Sequence, residues 1–133
     1  MGEKVFMQGN EAFAEAAIRS GCKYFFGYPI TPSSEIPEYY AKKAPSEGLT
    51  FVQAETEVSA FNMVAGVPAT GKRGMTATAG PGFSLGCEAM SYMSAASLPS
   101  VIVDCMRPGP ADGEILGSQG DYNQLTKGGG HGD

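Results

Sequence analysis

Four places in this sequence hold residue types suited to chemistry. Thr31 lies in Tyr28-Pro29-Ile30-Thr31-Pro32, where two prolines fix backbone angles and stiffen the turn. A hydroxyl held between rigid points is suited to a fixed hydrogen bond with a ligand; the simpler reading is a helix-entry turn whose hydroxyls only cap. Glu55 and Glu57 follow the apolar run Leu49–Gln53. A carboxylate there is either a helix-start charge favoured by the dipole or a partly buried acid that shares a proton with a ligand nitrogen. Gly80-Pro81-Gly82, after Thr76-Ala77-Thr78-Ala79, lets backbone approach a flat ligand or a neighbouring subunit closely, or simply makes a tight turn. It matches neither a Walker loop nor G-x-G-x-x-G. Arg107 ends the run Ser100–Met106 and is placed either to bind a carboxylate through two hydrogen bonds or to pair with Asp104, Asp112 or Glu114.

The elements that must position these groups alternate. Strands are expected at Lys4–Met7, Cys22–Tyr28, Leu49–Gln53, Arg73–Ala79 and Ser100–Met106. Helices are expected at Glu11–Ser20 (capped by Asn10), from Ser33 or Ser34 to about Ala44, at Thr56–Gly66, and at Phe83–Ser97. Pro68 ends or bends the third helix, and Arg107–Asp133 reads mostly as loop. Strands and helices in alternation with short connections imply an α/β fold, a parallel sheet with helices on both faces. In such sheets ligands bind at the carboxyl ends of the strands, where all four groups fall.

The totals narrow the function classes. The chain of 133 residues, 42% hydrophobic, suffices for one domain with a core. A net charge of −5 with scattered Lys and Arg argues against nucleic acid. The chain start lacks a basic-then-apolar leader pattern and no apolar run reaches membrane-spanning length, so a cytoplasmic protein is expected. Cys22, Cys87 and Cys105 are widely spaced, without a C-x-x-C pair, which favours reduced thiols over a zinc or cluster ligand set. His131, the one histidine, stands in a Gly-rich tail and makes no metal site by itself. The ending Lys127–Asp133 suggests the front part of a longer polypeptide.

Taken together, "GNEAFAEAAIRSGCKYFFGYPITPSSEIPEYY", "FVQAETEVSAFNMVAG", "MTATAGPGFSL", "LPSVIVDCMRPGP" and "QGDYNQLTKGGGHGD" span nearly the whole chain. They resemble the alpha subunit of thiamine-dependent 2-oxoacid:ferredoxin oxidoreductases. The opening "GNEAFAEAAIRSGC" and the ending "TKGGGHGD" tilt the resemblance to the branched-chain (2-oxoisovalerate) branch, with 2-oxoglutarate or pyruvate branches as alternatives and a non-catalytic assembly domain as another. The resemblance implies a pyrimidine-binding domain of the thiamine diphosphate fold over residues 1–133, continuing into a longer subunit. It implies that Glu57 hydrogen-bonds the aminopyrimidine ring and that Thr31 and Arg107 contact the 2-oxoacid. Pro29, Ile30, Glu57, Gly80, Pro81 and Gly82 would line the cofactor, and no metal ligand is expected in this chain. Diphosphate and Mg²⁺ would be held by a beta subunit and iron–sulfur clusters by gamma- and delta-type subunits, with ferredoxin and coenzyme A as further partners. Pro68 departs from the family pattern and leaves the end of its helix open.

Overall fold

The computed structural model describes residues 4–128. Four parallel strands, β1 (Tyr24–Gly27), β2 (Thr50–Gln53), β3 (Gly74–Thr78) and β4 (Val101–Asp104), form a sheet in the order β2-β1-β3-β4. Helices α1 (Gly9–Arg19), α2 (Glu35–Glu47), α3 (Glu57–Gly66) and α4 (Gly80–Ala95) alternate with them, and a short α5 (Tyr122–Lys127) follows.

Strand side chains point alternately to opposite faces, and that alternation builds two cores. Phe25, Met75 and Ala77 pack with Ala14 and Ile18 of α1 and Ile36 and Tyr40 of α2, with Val103 against them. Ile102, one residue away, turns to the other face and packs against the cluster of Phe61 and Ala65 from α3 with Ala89 and Met93 from α4. Helices therefore cover both faces. Strand β3, central and buried along its whole length, reads as Gly-Met-Thr-Ala-Thr. Tyr40 is fully buried; its ring stacks on Phe25 at 4.8 Å and its hydroxyl donates to the Cys22 carbonyl at 3.0 Å, so the polar tip is satisfied.

Several expected boundaries are corrected. Lys4–Met7 is not a strand: no neighbouring strand takes up its backbone groups. Asn10 is not the cap of α1, because the helix starts one residue earlier, at Gly9. Helix α2 runs through Pro45 to Glu47, where Gly48 in the left-handed region ends it; a proline in the last turn forfeits one backbone bond without breaking the remainder. Pro68 opens a 3-10 turn, Pro68–Thr70, after α3 has ended at Gly66. The Gly-Pro-Gly segment is the first turn of α4 itself, where proline's missing N–H is no loss. Within the stretch read as loop, Tyr122–Lys127 is helical. His131 lies outside the described residues.

Candidate active site

All four strands end on one edge of the sheet, because all run parallel. The ladder extends past the strands there: Ala54 N donates to the Gly27 carbonyl and Cys105 N to the Thr78 carbonyl, each at 2.9 Å. The segments carrying Thr31, Glu57, Gly80–Gly82 and Arg107 all leave this edge.

Glu57 is the first residue of α3. Thr56 caps the helix, its Oγ1 accepting from Ser59 N at 3.1 Å. Glu55 and Glu57 then have opposite fates. Glu55 is exposed and accepts from the Ser59 hydroxyl at 2.6 Å, a bond that holds its carboxyl below the usual range. Glu57 is turned inward, 7% exposed. It packs against Gly82, where a Cβ would lie 2.0 Å from Thr78 Oγ1, 2.7 Å from Glu57 Cγ and 3.0 Å from Glu57 Oε1. Only glycine lets the Thr78 and Glu57 side chains pack this close to α4. Among the described residues the Glu57 carboxylate has neither a hydrogen bond nor an ion pair. A buried carboxylate costs free energy unless something satisfies it, and a ligand nitrogen could. Thr78, Gly82 and Glu57 thus pack tightly together at the starts of α3 and α4, and the acid among them has no protein hydrogen-bond partner among the described residues.

Arg107 is held at three points. It is 3% exposed. Its Nη1 donates to the Thr31 carbonyl at 3.0 Å, its Nη2 to Asp112 Oδ1 at 2.7 Å, and its backbone N to Asp121 Oδ2 at 2.9 Å. Its Nε is buried and unpartnered. Of the partners foreseen for a plain ion pair, Asp112 is the one found, and that carboxylate is 91% exposed. The structure brings Thr31 and Arg107 together through the Thr31 main chain; the Thr31 side chain is exposed at the turn, which contains a cis Thr31–Pro32 bond. Pro29 is exposed beside it and Ile30 half-buried. Gly80 and Gly82 are buried and Pro81 half-buried.

Sequence reasoning passed over Asp121 at this edge, read Asn10 only as a helix cap, and named Asp104 and Asp112 only as ion-pair partners of Arg107. Asn10 donates to the Pro32 carbonyl and to Glu35 Oε2, both at 2.7 Å, and so ties α1 to the Thr31 turn. Asp121 is fully buried. Asp104 ends β4 with both carboxylate oxygens buried, and burial first, then the charge of Asp121, pushes its carboxyl up to about 7. Asp112 ligates Arg107. The one readable signal was an acid ending the apolar run Val-Ile-Val-Asp; the rest depends on contacts across the fold.

An open groove of about 470 Å³ at this edge is lined by Asn10, Pro32, Glu35, Asp104 and Cys105 among others. A groove of about 590 Å³, lined by Phe13, Ala16, Gly74, Pro99 and Val101 among others, lies at the opposite ends of β3 and β4. Its position at the amino ends of the strands separates it from the polar edge. Among the described residues no cluster of His, Cys, Asp and Glu could hold a metal ion, and no helix is long and apolar enough to cross a membrane.

Known proteins share both sequence and fold. The family described as pyruvate flavodoxin/ferredoxin oxidoreductase, thiamine diphosphate-binding, matches residues 15–130. The ketoisovalerate oxidoreductase subunit VorB of Methanothermobacter thermautotrophicus is 53% identical over 95% of this chain and 36% of its own length. The 2-oxoglutarate synthase subunit KorA of the same organism is 48% identical, over all of this chain and 35% of its own. The chain thus spans about a third of the length of these relatives. A solved 2-oxoglutarate:ferredoxin oxidoreductase from Magnetococcus marinus, with 2-oxoglutarate, coenzyme A and succinyl-CoA bound, superposes with a TM-score of 0.91 at 38% identity, over 97% of this chain and 23% of that one. The acid at the start of α3, packed against a glycine and without a protein partner among the described residues, and these matches lead to one conclusion: the chain belongs to the thiamine diphosphate-binding family of the pyruvate flavodoxin/ferredoxin oxidoreductases.

Proposed function

We propose that this chain supplies the pyrimidine-binding half of a thiamine diphosphate site, as the N-terminal domain (residues 1–133) of a longer subunit that oxidatively decarboxylates 2-oxoisovalerate to an acyl-CoA. The observation that carries this reading is Glu57, buried at the start of α3, packed against Gly82, and without a protein partner among the described residues. When bound, thiamine diphosphate supplies a carbon nucleophile for the 2-oxo carbon and a sink for the electrons left by decarboxylation. Glu57 would hydrogen-bond the ring nitrogen N1′, and closure of the site by the partner chain would exclude water and strengthen that bond. Gly80, Pro81 and Gly82, the first turn of α4, would line the cofactor beside Glu57, with Pro29 and Ile30 on the neighbouring turn. Thr31 and Arg107 orient the 2-oxoacid, the guanidinium through its carboxylate.

The remaining machinery belongs to partner subunits: a beta subunit for diphosphate and Mg²⁺, and gamma- and delta-type subunits for the iron–sulfur clusters that reduce ferredoxin. The open setting of Glu57 agrees with a site completed by another chain. A second substrate, 2-oxoglutarate, is favoured by the KorA match and by the 2-oxoglutarate-bound neighbour.

The test is coenzyme-A-dependent viologen reduction by the anaerobically assembled complex, with 2-oxoisovalerate, 2-oxoglutarate and pyruvate side by side. Reduction led by 2-oxoisovalerate is expected. Reduction led by another oxoacid overturns the substrate and keeps the mechanism. No reduction, from a complex shown to hold its cofactor and clusters, leaves an assembly domain.

A further inference from the structure

Arg107 sits on a long irregular segment, yet both its side chain and its backbone N–H are hydrogen-bonded within the fold. The cause lies in two buried carboxyl groups. Asp121, just ahead of α5, is fully buried and its Oδ2 accepts from Arg107 N at 2.9 Å. Its Oδ1 and both oxygens of Asp104 are sealed from solvent with no donor from any other group. The two carboxyls lie within hydrogen-bonding reach of each other. Gly80 makes room: a Cβ there would stand 2.1 Å from Asp121 Oδ1 and 2.5 Å from the Gly109 carbonyl. The end of β4, the Arg107 segment, the start of α5 and the first residue of α4 therefore meet at one point.

We propose that Asp104 and Asp121 share one proton and together form a latch that positions Arg107 against the start of α4. Two buried carboxylates in contact cannot both stay ionised. Burial and the neighbouring carboxylate raise Asp104, so the proton is held by Asp104 and donated to Asp121 Oδ1. Asp121 Oδ2 is then free to accept from Arg107 N. The latch rests on the reading of Arg107 as a substrate contact for its effect on catalysis, but not for its own existence.

The latch is sensitive to pH. Asp104 faces Asp121, the Arg107 guanidinium, the neighbouring Cys105 thiol and, beyond it, Glu35 of α2. Burial pushes Cys105 up to about 11, so it stays neutral. Helix α1 presents Asn10 here, and α4 presents Gly80 and Ser84, all uncharged. The Asp104 carboxyl, raised from 3.8 to about 7, keeps in the folded chain a proton that the unfolded chain releases between those values. Stability thus declines as pH rises through that window and levels off above it. Above about pH 7 the pair carries two charges, and repulsion loosens the Arg107 segment.

Hydrogen exchange read by mass spectrometry on the assembled complex tests this, with KM for the oxoacid measured alongside. In Asp121→Ala, peptides covering 105–121 are expected to exchange at least tenfold faster, with KM raised about tenfold and kcat changed much less. Asp121→Asn keeps an acceptor for Arg107 N and is expected to restore most of the protection. Asp104→Asn donates an amide hydrogen in place of the shared proton, so wild-type KM should rise above pH 7 while this variant's stays flat. Unchanged exchange in Asp121→Ala, or a wild-type alkaline rise that persists in Asp104→Asn, overturns the latch. Faster exchange with unchanged KM keeps the latch and removes Arg107 from substrate binding. If Asp121→Ala does not assemble, the Asp104→Asn pH profile decides alone.

Discussion

Glu57 and Arg107 stand at the same edge of one sheet, and they are prepared for work in opposite ways. Glu57 is placed by regular structure: a capped helix start after a short connection from β2, with a glycine across from it. Its carboxylate is left free. Arg107 is placed by irregular structure, and its side chain and backbone are bound by Thr31, Asp112 and Asp121. An acid that hydrogen-bonds a ring needs only a fixed position and dryness. A cation that must meet a mobile carboxylate needs to be aimed, and aiming a long side chain takes several simultaneous contacts. Loss of function at the first site should therefore be concentrated in one residue, and at the second spread over several.

The sharpest way to break that contrast is Glu57→Gln, which keeps size and shape but cannot carry the proton. Turnover in the assembled complex is expected to fall by roughly a hundredfold or more, with KM for the oxoacid little changed. The helix start loses one favourable charge, worth about 0.3–1 kcal/mol, so the melting temperature should barely move. Turnover within a few-fold of wild type would take Glu57 out of the mechanism. Next in size, Arg107→Ala removes charge-assisted bonds worth about 1.5–3 kcal/mol, which corresponds to a rise in oxoacid KM of about 10–100-fold with a smaller effect on the KM for coenzyme A. Equal effects on both would make Arg107 structural.

The same contrast explains what could be read from the sequence. Placement by regular structure is local information. The apolar run ending at Gln53 and the helical pattern from Thr56 to Gly66 put Glu57 at a strand-to-helix junction before any coordinates, and likewise Gly80–Gly82 after β3. The two cores follow from strand alternation in the same way. Which glutamate turns inward was not local, because it depends on Gly82 and Thr78 across the sheet. The Arg107 environment was legible only as a cation at a strand end. Asp121, 14 residues on, looked like loop, since six helical residues give too little periodicity to detect and nothing in Gly-Asp-Tyr signals a buried acid. Asn10 was misread for the converse reason: a residue type that caps helices was assigned to the nearest helix, while its side chain serves a turn 22 residues away.

The smallest expected effect tests how spread out the second site is. Asp112 is 91% exposed and binds a guanidinium that is 4% exposed. For the acid, solvent screening leaves an ion pair of little net worth, about 0–1 kcal/mol. For the cation, that carboxylate occupies one of the two amino groups through which a substrate carboxylate would bind, so the two compete for Nη2. Asp112→Asn keeps a neutral acceptor in place and removes the competing charge. Oxoacid KM should then fall by up to about threefold, the counterpart of less than 1 kcal/mol, and the difference should shrink as salt rises. Hydrogen exchange over 105–121 should stay as in wild type, because Asp121 rather than Asp112 holds the backbone. A KM that rises instead would mean that Asp112 aims the guanidinium, and the contacts that fix Arg107 would then extend out to the solvent-facing side of its loop.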